Sequence, residues 1–243
     1  MTQLADAWRS LVPRPDDPHG PLPPMLLMLT TVTGLVDAFS YLQLHHVLVA
    51  NMTGNVVFLA FALGGVSGFL WWASLLAVAT FMVGALIGGR VASRCGSHRG
   101  THLYVAALIE FVLVAASLVV VSVTAGSYRS PALSLLIVLL GIALGLQNAT
   151  ARSLGVPDLT TTVLTLTITG IAADSHAAGG SSSRIGRRLV SVGSMFLGGL
   201  VGAALVQADL DWLVVALATA LLLVIVTTGF RVKNSRGGWT AKR

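Results

Sequence analysis

The stretch LVANMTGNVVFLA, residues 48–60, places polar side chains inside a run that is otherwise hydrocarbon. Its polar and flexible members are Asn51, Thr53, Gly54 and Asn55. Backbone that leaves a regular helix at membrane depth is tolerated only where protein or a watery cavity satisfies its polar groups. One interpretation is therefore a helix that breaks at Gly54 and uses the neighbouring polar side chains to bind a ligand. The other is that Asn51 and Asn55 hold two helices together by hydrogen bonds.

The composition places the chain in a lipid bilayer. Hydrophobic residues make up 55% of its 243 residues, only 10% are charged, and the mean hydropathy is +0.84. Soluble domains carry about 25% charged residues. The net charge of +6 comes mainly from basic residues in tails and loops, which is typical of proteins that obey the positive-inside rule. No basic stripe is interleaved with aromatic residues, so we expect no nucleic-acid partner.

Apolar segments follow one another along the chain with short polar breaks between them. There are eight, at roughly 25–44, 47–64, 68–91, 102–124, 131–150, 159–174, 187–207 and 212–230. A helix needs about 20 residues to cross the hydrocarbon layer, and the second and sixth segments are shorter and more polar. The pattern predicts an all-α, polytopic transmembrane helical bundle with six crossings plus two short or re-entrant segments, or else eight spans.

One transmembrane domain, residues 25–230, accounts for most of the chain. The segment before it, residues 1–24, holds six of the eight prolines and is predicted to be a disordered or extended tail. Residues 231–243 are predicted to be a basic tail. No signal peptide is evident, because the first apolar run begins only at Met25 and is long enough to be a retained helix.

The transmembrane domain also resembles itself, which predicts two repeats, about 25–124 and 131–230. Three pairs of stretches match in the same order at nearly the same separation. They are GLVDA at 34–38 with GLQNA at 145–149, NMTGN at 51–55 with VLTLT at 163–167, and FMVGALIGG at 81–89 with MFLGGLVGA at 195–203.

The distribution of arginines favours six crossings over eight. With a cytoplasmic N-terminus, eight crossings would leave Arg90, Arg94, Arg99 and Arg152 outside, whereas six crossings leave only Arg129 outside. Each repeat would then contain an odd number of crossings, so the halves would be inverted, as in many secondary transporters. We expect a bacterial inner-membrane protein with both termini in the cytoplasm.

Asp37 is the most informative charge within the apolar segments. It lies in the first helix with Thr33 and Tyr41 one turn to either side, and an ionisable group at that depth normally has a partner or a task. One hypothesis is a titrating carboxylate in a proton or cation pathway. The other is a buried anchor that pairs with Arg152 or is hydrogen-bonded to Asn148, its counterpart in the second repeat.

Glu110 is a second candidate, although its place in the fourth segment also fits a hydrated position near the interface. With Gln147, which stands beside the counterpart of Asp37, these side chains form the predicted substrate or ion site. Its members are Asp37, Tyr41, Asn51, Thr53, Gly54, Asn55, Gln147, Asn148, Arg152 and Glu110.

Motifs of catalysis and cofactor binding are missing from the sequence. It contains no P-loop, dinucleotide fingerprint, H-E-x-x-H or nucleophile elbow, so we expect no enzymatic activity and no cofactor. The single Cys95 excludes an internal disulfide. His45 and His46 have no third ligand at a recognisable spacing and are predicted to form a solvated turn, without a metal. Asp174 and His176 are interpreted as a helix end.

Glycine spacing predicts close helix contacts. Pairs separated by three residues let two helix backbones approach each other. Such pairs are Gly64/Gly68, Gly84/Gly88, Gly141/Gly145 and Gly198/Gly202.

The motifs GLVDAFSYL at 34–42, VANMTGN at 49–55 and GLQNATAR at 145–152 together resemble the YoaK family, bacterial integral membrane proteins built around a domain of unknown function. The resemblance extends from the first apolar segment to the last. It implies the fold and the membrane location but no established substrate. In one respect the chain departs from the family, since relatives tend to carry a second threonine-glycine pair where Leu166 follows Thr165 here.

Taken together, the sequence predicts a small secondary permease that moves a small solute or ion with the help of the Asp37 carboxylate. The alternative is a membrane scaffold or assembly partner, in which the polar residues only lock the helices together. Self-association into a homo-oligomer is compatible with either function.

Overall fold

A computed structural model describes residues 3–12, 17–95, 98–159, 161, 164–175, 178–180 and 185–241. These residues form nine helices and no strand, so the predicted all-α class is confirmed. The helices are Gln3–Leu11 (α1), Leu22–Gln43 (α2), Met52–Leu63 (α3), Trp71–Arg94 (α4), Arg99–Thr124 (α5), Ser130–Leu154 (α6), Leu164–Ala173 (α7), Ile185–Gln207 (α8) and Asp211–Val232 (α9).

Six of the helices are long and apolar enough to cross a membrane. They contain 22 to 26 residues each and are α2, α4, α5, α6, α8 and α9. At about 1.5 Å per residue they measure roughly 33–39 Å, which exceeds the hydrocarbon thickness of about 30 Å. With 12 and 10 residues, α3 and α7 are too short to cross. The structure therefore agrees with six crossings plus two short segments.

The N-terminal segment differs from the extended tail that its prolines predicted, because residues 3–11 form α1. This helix packs against α8, where the Ser10 hydroxyl accepts a hydrogen bond from Nε of Arg187 (3.3 Å).

Two clusters of side chains mark the ends of the bundle. At one end, the Arg99 guanidinium donates hydrogen bonds to the carbonyl oxygens of Leu154 (2.5 Å) and Trp239 (3.3 Å), and we call this the Arg99 end. At the other, the Gln43 amide donates to the Asp211 carboxylate (3.0 Å), and we call this the Asp211 end. Because α2 ends and α9 begins at the Asp211 end, the start of α2 and the end of α9 both lie at the Arg99 end.

Glycines bring the long helices together in two close pairs. A Cβ atom on Gly84 of α4 would overlap the Ile142 carbonyl of α6, and one on Gly198 of α8 would overlap the Thr31 carbonyl of α2. The predicted close contacts are confirmed for three of the four glycine pairs, Gly84/Gly88, Gly141/Gly145 and Gly198/Gly202.

The prediction is wrong for Gly64/Gly68, which follow α3 in an exposed turn rather than in a helix pair. Gly68 has a φ of +90°, and a Cβ atom there would meet no neighbouring atom within 4 Å. Gly68 therefore serves the backbone conformation of the turn.

The centre of the bundle consists of α2 and α6, which are the most buried of the spanning helices. Their inner faces carry mostly leucine and valine, together with a few polar side chains that are at most 5% exposed. Those include Thr33, Asp37 and Gln147, and Glu110 on α5 is equally buried. The fold thus places several predicted site residues in its core.

Candidate functional site

The first short segment is a re-entrant hairpin, residues 44–63. After α2 ends, the chain turns back until Asn51 meets Asp37, and then α3 carries Phe58 to the level of Tyr41, with ring centroids 5.9 Å apart. Since Tyr41 follows Asp37 by one turn of α2, α3 runs back toward the Asp211 end. The segment therefore enters and leaves the bundle at the same end, as the re-entrant interpretation predicted.

A strained turn starts the first hairpin. Its residues His45 and His46 both have left-handed backbone angles, with φ of 56° and 60°. Non-glycine residues rarely adopt this conformation, and here it reverses the chain directly after α2. The predicted solvated turn fits His45, which is exposed, whereas the His46 ring packs between Tyr41 (5.0 Å) and Phe69 (5.5 Å).

The Asp37 carboxylate holds the non-helical part of this hairpin. Its Oδ1 accepts hydrogen bonds from the backbone N–H groups of Val49 (3.1 Å) and Ala50 (3.0 Å), and its Oδ2 accepts one from the Asn51 side chain. Asp37 is only 5% exposed. The carboxylate therefore satisfies backbone donors that the hydrocarbon core would otherwise leave unpaired.

Asn55 completes the hairpin from the other side. Its Oδ1 accepts from the backbone N–H of Leu48 (3.0 Å), and its Nδ2 donates to the Leu48 carbonyl. Gly54 lies inside α3, so the prediction that the helix breaks at Gly54 is wrong. Gly54 instead leaves space for the Leu48 side chain, because a Cβ atom on Gly54 would lie 2.7 Å from a methyl carbon of Leu48.

A second polar group lies where α6 meets α2. The Gln147 amide nitrogen donates to the Thr33 hydroxyl (2.7 Å), while its Oε1 is buried without a hydrogen-bond partner. Other buried oxygens on described residues also have no hydrogen-bond partner, among them Glu110 Oε1 on α5 and Thr150 Oγ1 on α6. Thr150 was missed in the sequence, although it stands one helical turn from Gln147.

The remaining predicted residues occupy different surroundings. Thr53 and Arg152 are exposed, and the half-buried Asn148 donates to the Leu144 carbonyl of its own helix (2.9 Å). The structure thus contradicts the hypothesis that Asp37 is anchored by Arg152 or Asn148, because the three donors to its carboxylate all come from the hairpin.

A second hairpin surrounds α7 and is held by Arg188 at the start of α8. The guanidinium Nε donates to Asp158 before α7 (2.9 Å), and Nη1 donates to the Gly170 carbonyl (2.5 Å) and to Asp174 after α7 (2.7 Å). Because both flanks of α7 meet the same side chain, this segment also enters and leaves at one end. Asp174 directly follows α7, as predicted for a helix end, whereas His176 lies outside the described residues.

Arg188 itself was not selected from the sequence. A basic residue at the start of an apolar segment is usually explained by the membrane interface. Only the folded chain brings Asp158 and Asp174 to it. The two hairpins are therefore held by opposite charges, a carboxylate on α2 for the first and a guanidinium on α8 for the second.

These features define a polytopic α-helical membrane protein with two short hairpins anchored to a six-helix bundle. Residues 25–228 match the sequence model of a family described as "Protein of unknown function (DUF1275)", and the chain belongs to that family. This confirms the resemblance to the YoaK family. The chain is also similar to the UPF0700 transmembrane protein YoaK of Bacillus subtilis (strain 168), with 31% identity over 151 residues. That match covers 62% of this chain and 65% of the relative, and no solved structure matches.

Proposed function

We propose that the protein is a small secondary permease, and not an enzyme, in which a proton on Asp37 releases the first hairpin. The carboxylate with its three hydrogen bonds is the observation that carries this proposal. An ionised carboxylate only accepts hydrogen bonds, whereas protonation turns one oxygen into a donor. Because hydrogen bonds to an ionised acceptor are about twice as strong as neutral ones, protonation would weaken the bonds to the hairpin, which would let residues 44–51 move and open a path.

The unpartnered oxygens of Gln147, Thr150 and Glu110 are suited to contact the transported solute or ion. A buried polar atom without a partner costs free energy, and such atoms in a native structure often mark a missing water, ion or ligand. Proton uptake at Asp37 and solute contact would thus occur on neighbouring helices, since α2 and α6 are joined through Thr33 and Gln147.

The proposal includes an inverted duplication. Helix pairing supports it, because exchanging the two predicted repeats converts the pair α2 with α8 into the pair α6 with α4. We place the Arg99 end in the cytoplasm of a bacterium, with the bundle in its inner membrane and both termini at that end. Arg90, Arg94 and Arg152 also belong to helix ends there, which agrees with the positive-inside rule.

A membrane scaffold is the second candidate, and the same hairpin favours it. Asp37 and Asn55 direct their side-chain hydrogen bonds to the hairpin, so their role could be complete once the chain is folded. In that case the polar residues would serve only to hold helices and hairpins together.

A charge swap between α2 and the hairpin separates the two candidates. Asp37→Asn removes the carboxylate, and Asp37→Asn combined with Asn51→Asp restores a carboxylate–amide bond between the same positions. In proteoliposomes with an internal pH dye and a panel of solutes, a permease should show proton-coupled uptake that both variants lose, although the swap recovers the melting temperature. A stable wild type without uptake of any solute would favour the scaffold, whereas wild-type uptake that survives in Asp37→Asn would overturn the role of Asp37.

A further inference from the structure

A cavity of about 620 Å³ opens at the Asp211 end, away from the Arg188 anchor of the second hairpin. It lies between the end of α2, the turn from α5 to α6, and the start of α9. Volumes of roughly 300–1,000 Å³ are typical of sites for small organic molecules. The side chains that matter for the argument are Gln43, Ser122, Tyr128, Asp209, Asp211 and Trp212.

The cavity has an acidic lining with acceptor capacity to spare. Asp211 is 9% exposed, and its carboxylate accepts from Nε2 of Gln43 (3.0 Å) and from the Tyr128 hydroxyl (3.2 Å). A carboxylate offers about four lone-pair positions, so further donors can still bind. Asp209 adds a second carboxylate. Arg129, the basic residue that directly follows Tyr128, is not among the lining residues.

The size and chemistry of the lining favour an organic cation over a metal ion. Calcium requires six to eight oxygen ligands at short range, whereas the lining contributes only two carboxylates, those of Asp209 and Asp211, to a wide space. The Trp212 ring, half exposed, provides an aromatic face that attracts ammonium groups. A primary ammonium also carries three N–H donors, which the free acceptor positions of Asp211 together with the Asp209 carboxylate can accept.

We propose that this cavity binds a small primary alkylammonium compound. Asp211 and Asp209 neutralise and orient the ammonium group, and the apolar part of the ligand lies against Trp212. As the access site of a transport path, this inference rests on the proposed permease function. Gln43 lies about 9 Å along α2 from Asp37, so the cavity is adjacent to the first hairpin.

Binding of butylammonium to the purified full-length protein tests this site, with butyrate as the matched anion and tetramethylammonium as the cation without N–H donors. We expect calorimetry to detect butylammonium binding, weaker tetramethylammonium binding and no butyrate binding. Asp211→Asn should weaken butylammonium binding about tenfold or more, because a buried charge partner is lost. Asp209→Asn should weaken it several-fold, and it serves if Asp211→Asn does not fold. Ser127→Ala, in the turn from α5 to α6 but outside the lining, is the control.

Equal affinity for butyrate and butylammonium, or unchanged affinity in every Asp209 and Asp211 variant that folds, would overturn the site. The permease proposal fails separately. Butylammonium binding without uptake of any solute into proteoliposomes would leave the site intact and remove the transport function. Uptake of another solute by a protein that does not bind butylammonium would do the reverse.

Discussion

Asn55 pairs with both backbone groups of Leu48, accepting from its N–H and donating to its carbonyl. The Asn55 amide thereby takes the place of the backbone hydrogen-bond partners that Leu48 would have in a helix or a sheet. Asn55 is fully buried on α3, so water is not an alternative partner. The non-helical part of the first hairpin can lie inside the bundle because this side chain and Asp37 supply what regular structure would supply.

Replacing Asn55 with leucine should therefore destabilise the protein more than the similar shape of the two side chains suggests. Leu48 would lose a partner for its N–H and its carbonyl, at about 1–3 kcal/mol for each buried group left unpaired. Thermal unfolding in detergent measures the loss. Thr53→Ala, on the exposed side of the same helix, should stay within about 0.5 kcal/mol. If the two variants were equally stable, the Asn55 amide would not be holding the hairpin.

The sequence was sufficient to predict this hairpin but not its internal contacts. A short apolar segment with two amides can only avoid unpaired backbone by folding into protein, so the re-entrant path followed from length and polarity. The partners of Asp37 did not follow. Val49 and Ala50 contribute backbone N–H groups, and every residue except proline has such a group, so the side chains at 49 and 50 do not indicate these contacts.

Contacts between distant parts of the chain could not be predicted from the sequence either. Gln43 and Asp211 are 168 residues apart, and each alone is an ordinary polar residue at a helix end. The same holds for Arg188 with Asp158 and Asp174. Glycine spacing was more informative, because a missing side chain determines where two helices can approach, whatever the partner is.

Two glycines on α4 provide a matched test of that helix packing. A Cβ atom on Gly84 would overlap the backbone of Ile142, which cannot move without separating α4 from α6. Gly84→Ala should therefore lower the free energy of unfolding by about 1–3 kcal/mol. Gly89 has no atom within 4 Å of such a Cβ, so Gly89→Ala should be neutral or slightly stabilising. Equal melting temperatures for the two variants would contradict the α4–α6 contact.

Arg188 should be required for the second hairpin. Arg188→Gln removes the charge from hydrogen bonds to Asp158, Asp174 and Gly170, which we expect to cost about 2 kcal/mol, mostly at the less exposed Asp158. Arg188→Lys should recover only part, because an ammonium lacks the planar fork. Hydrogen exchange of the backbone around α7 measures the effect. Arg152→Gln, an exposed arginine at the end of α6, should leave that exchange unchanged, and faster exchange in both variants would argue against a specific anchor.

Because of Tyr128, we expect the stability of the protein to decrease at alkaline pH. Burial, and then the Asp211 carboxylate, raise the pKa of Tyr128 above its ordinary value of 10.0. The folded protein thus keeps the phenolic proton while the unfolded chain loses it, so stability is complete below about pH 10 and decreases above it. Tyr128→Phe should remove this part of the alkaline loss and cost about 1–3 kcal/mol at neutral pH. Unfolding measured across this pH range is the test, and an identical decline in both proteins would assign the loss to other groups.

Labelling of the single cysteine can show which end of the bundle faces the cytoplasm. Cys95 lies in the turn between α4 and α5, at the Arg99 end. A membrane-impermeant maleimide should label it only after spheroplasts have been opened, because the positive-inside rule places the arginine-rich end inside. Ser127→Cys in a Cys95→Ser background, an exposed position across α5, should be labelled in intact spheroplasts. The reverse pattern would invert the orientation and place the acidic cavity inside the cell. Labelling of both positions from the same side would mean that α5 does not cross the membrane, and the six-crossing arrangement would fail.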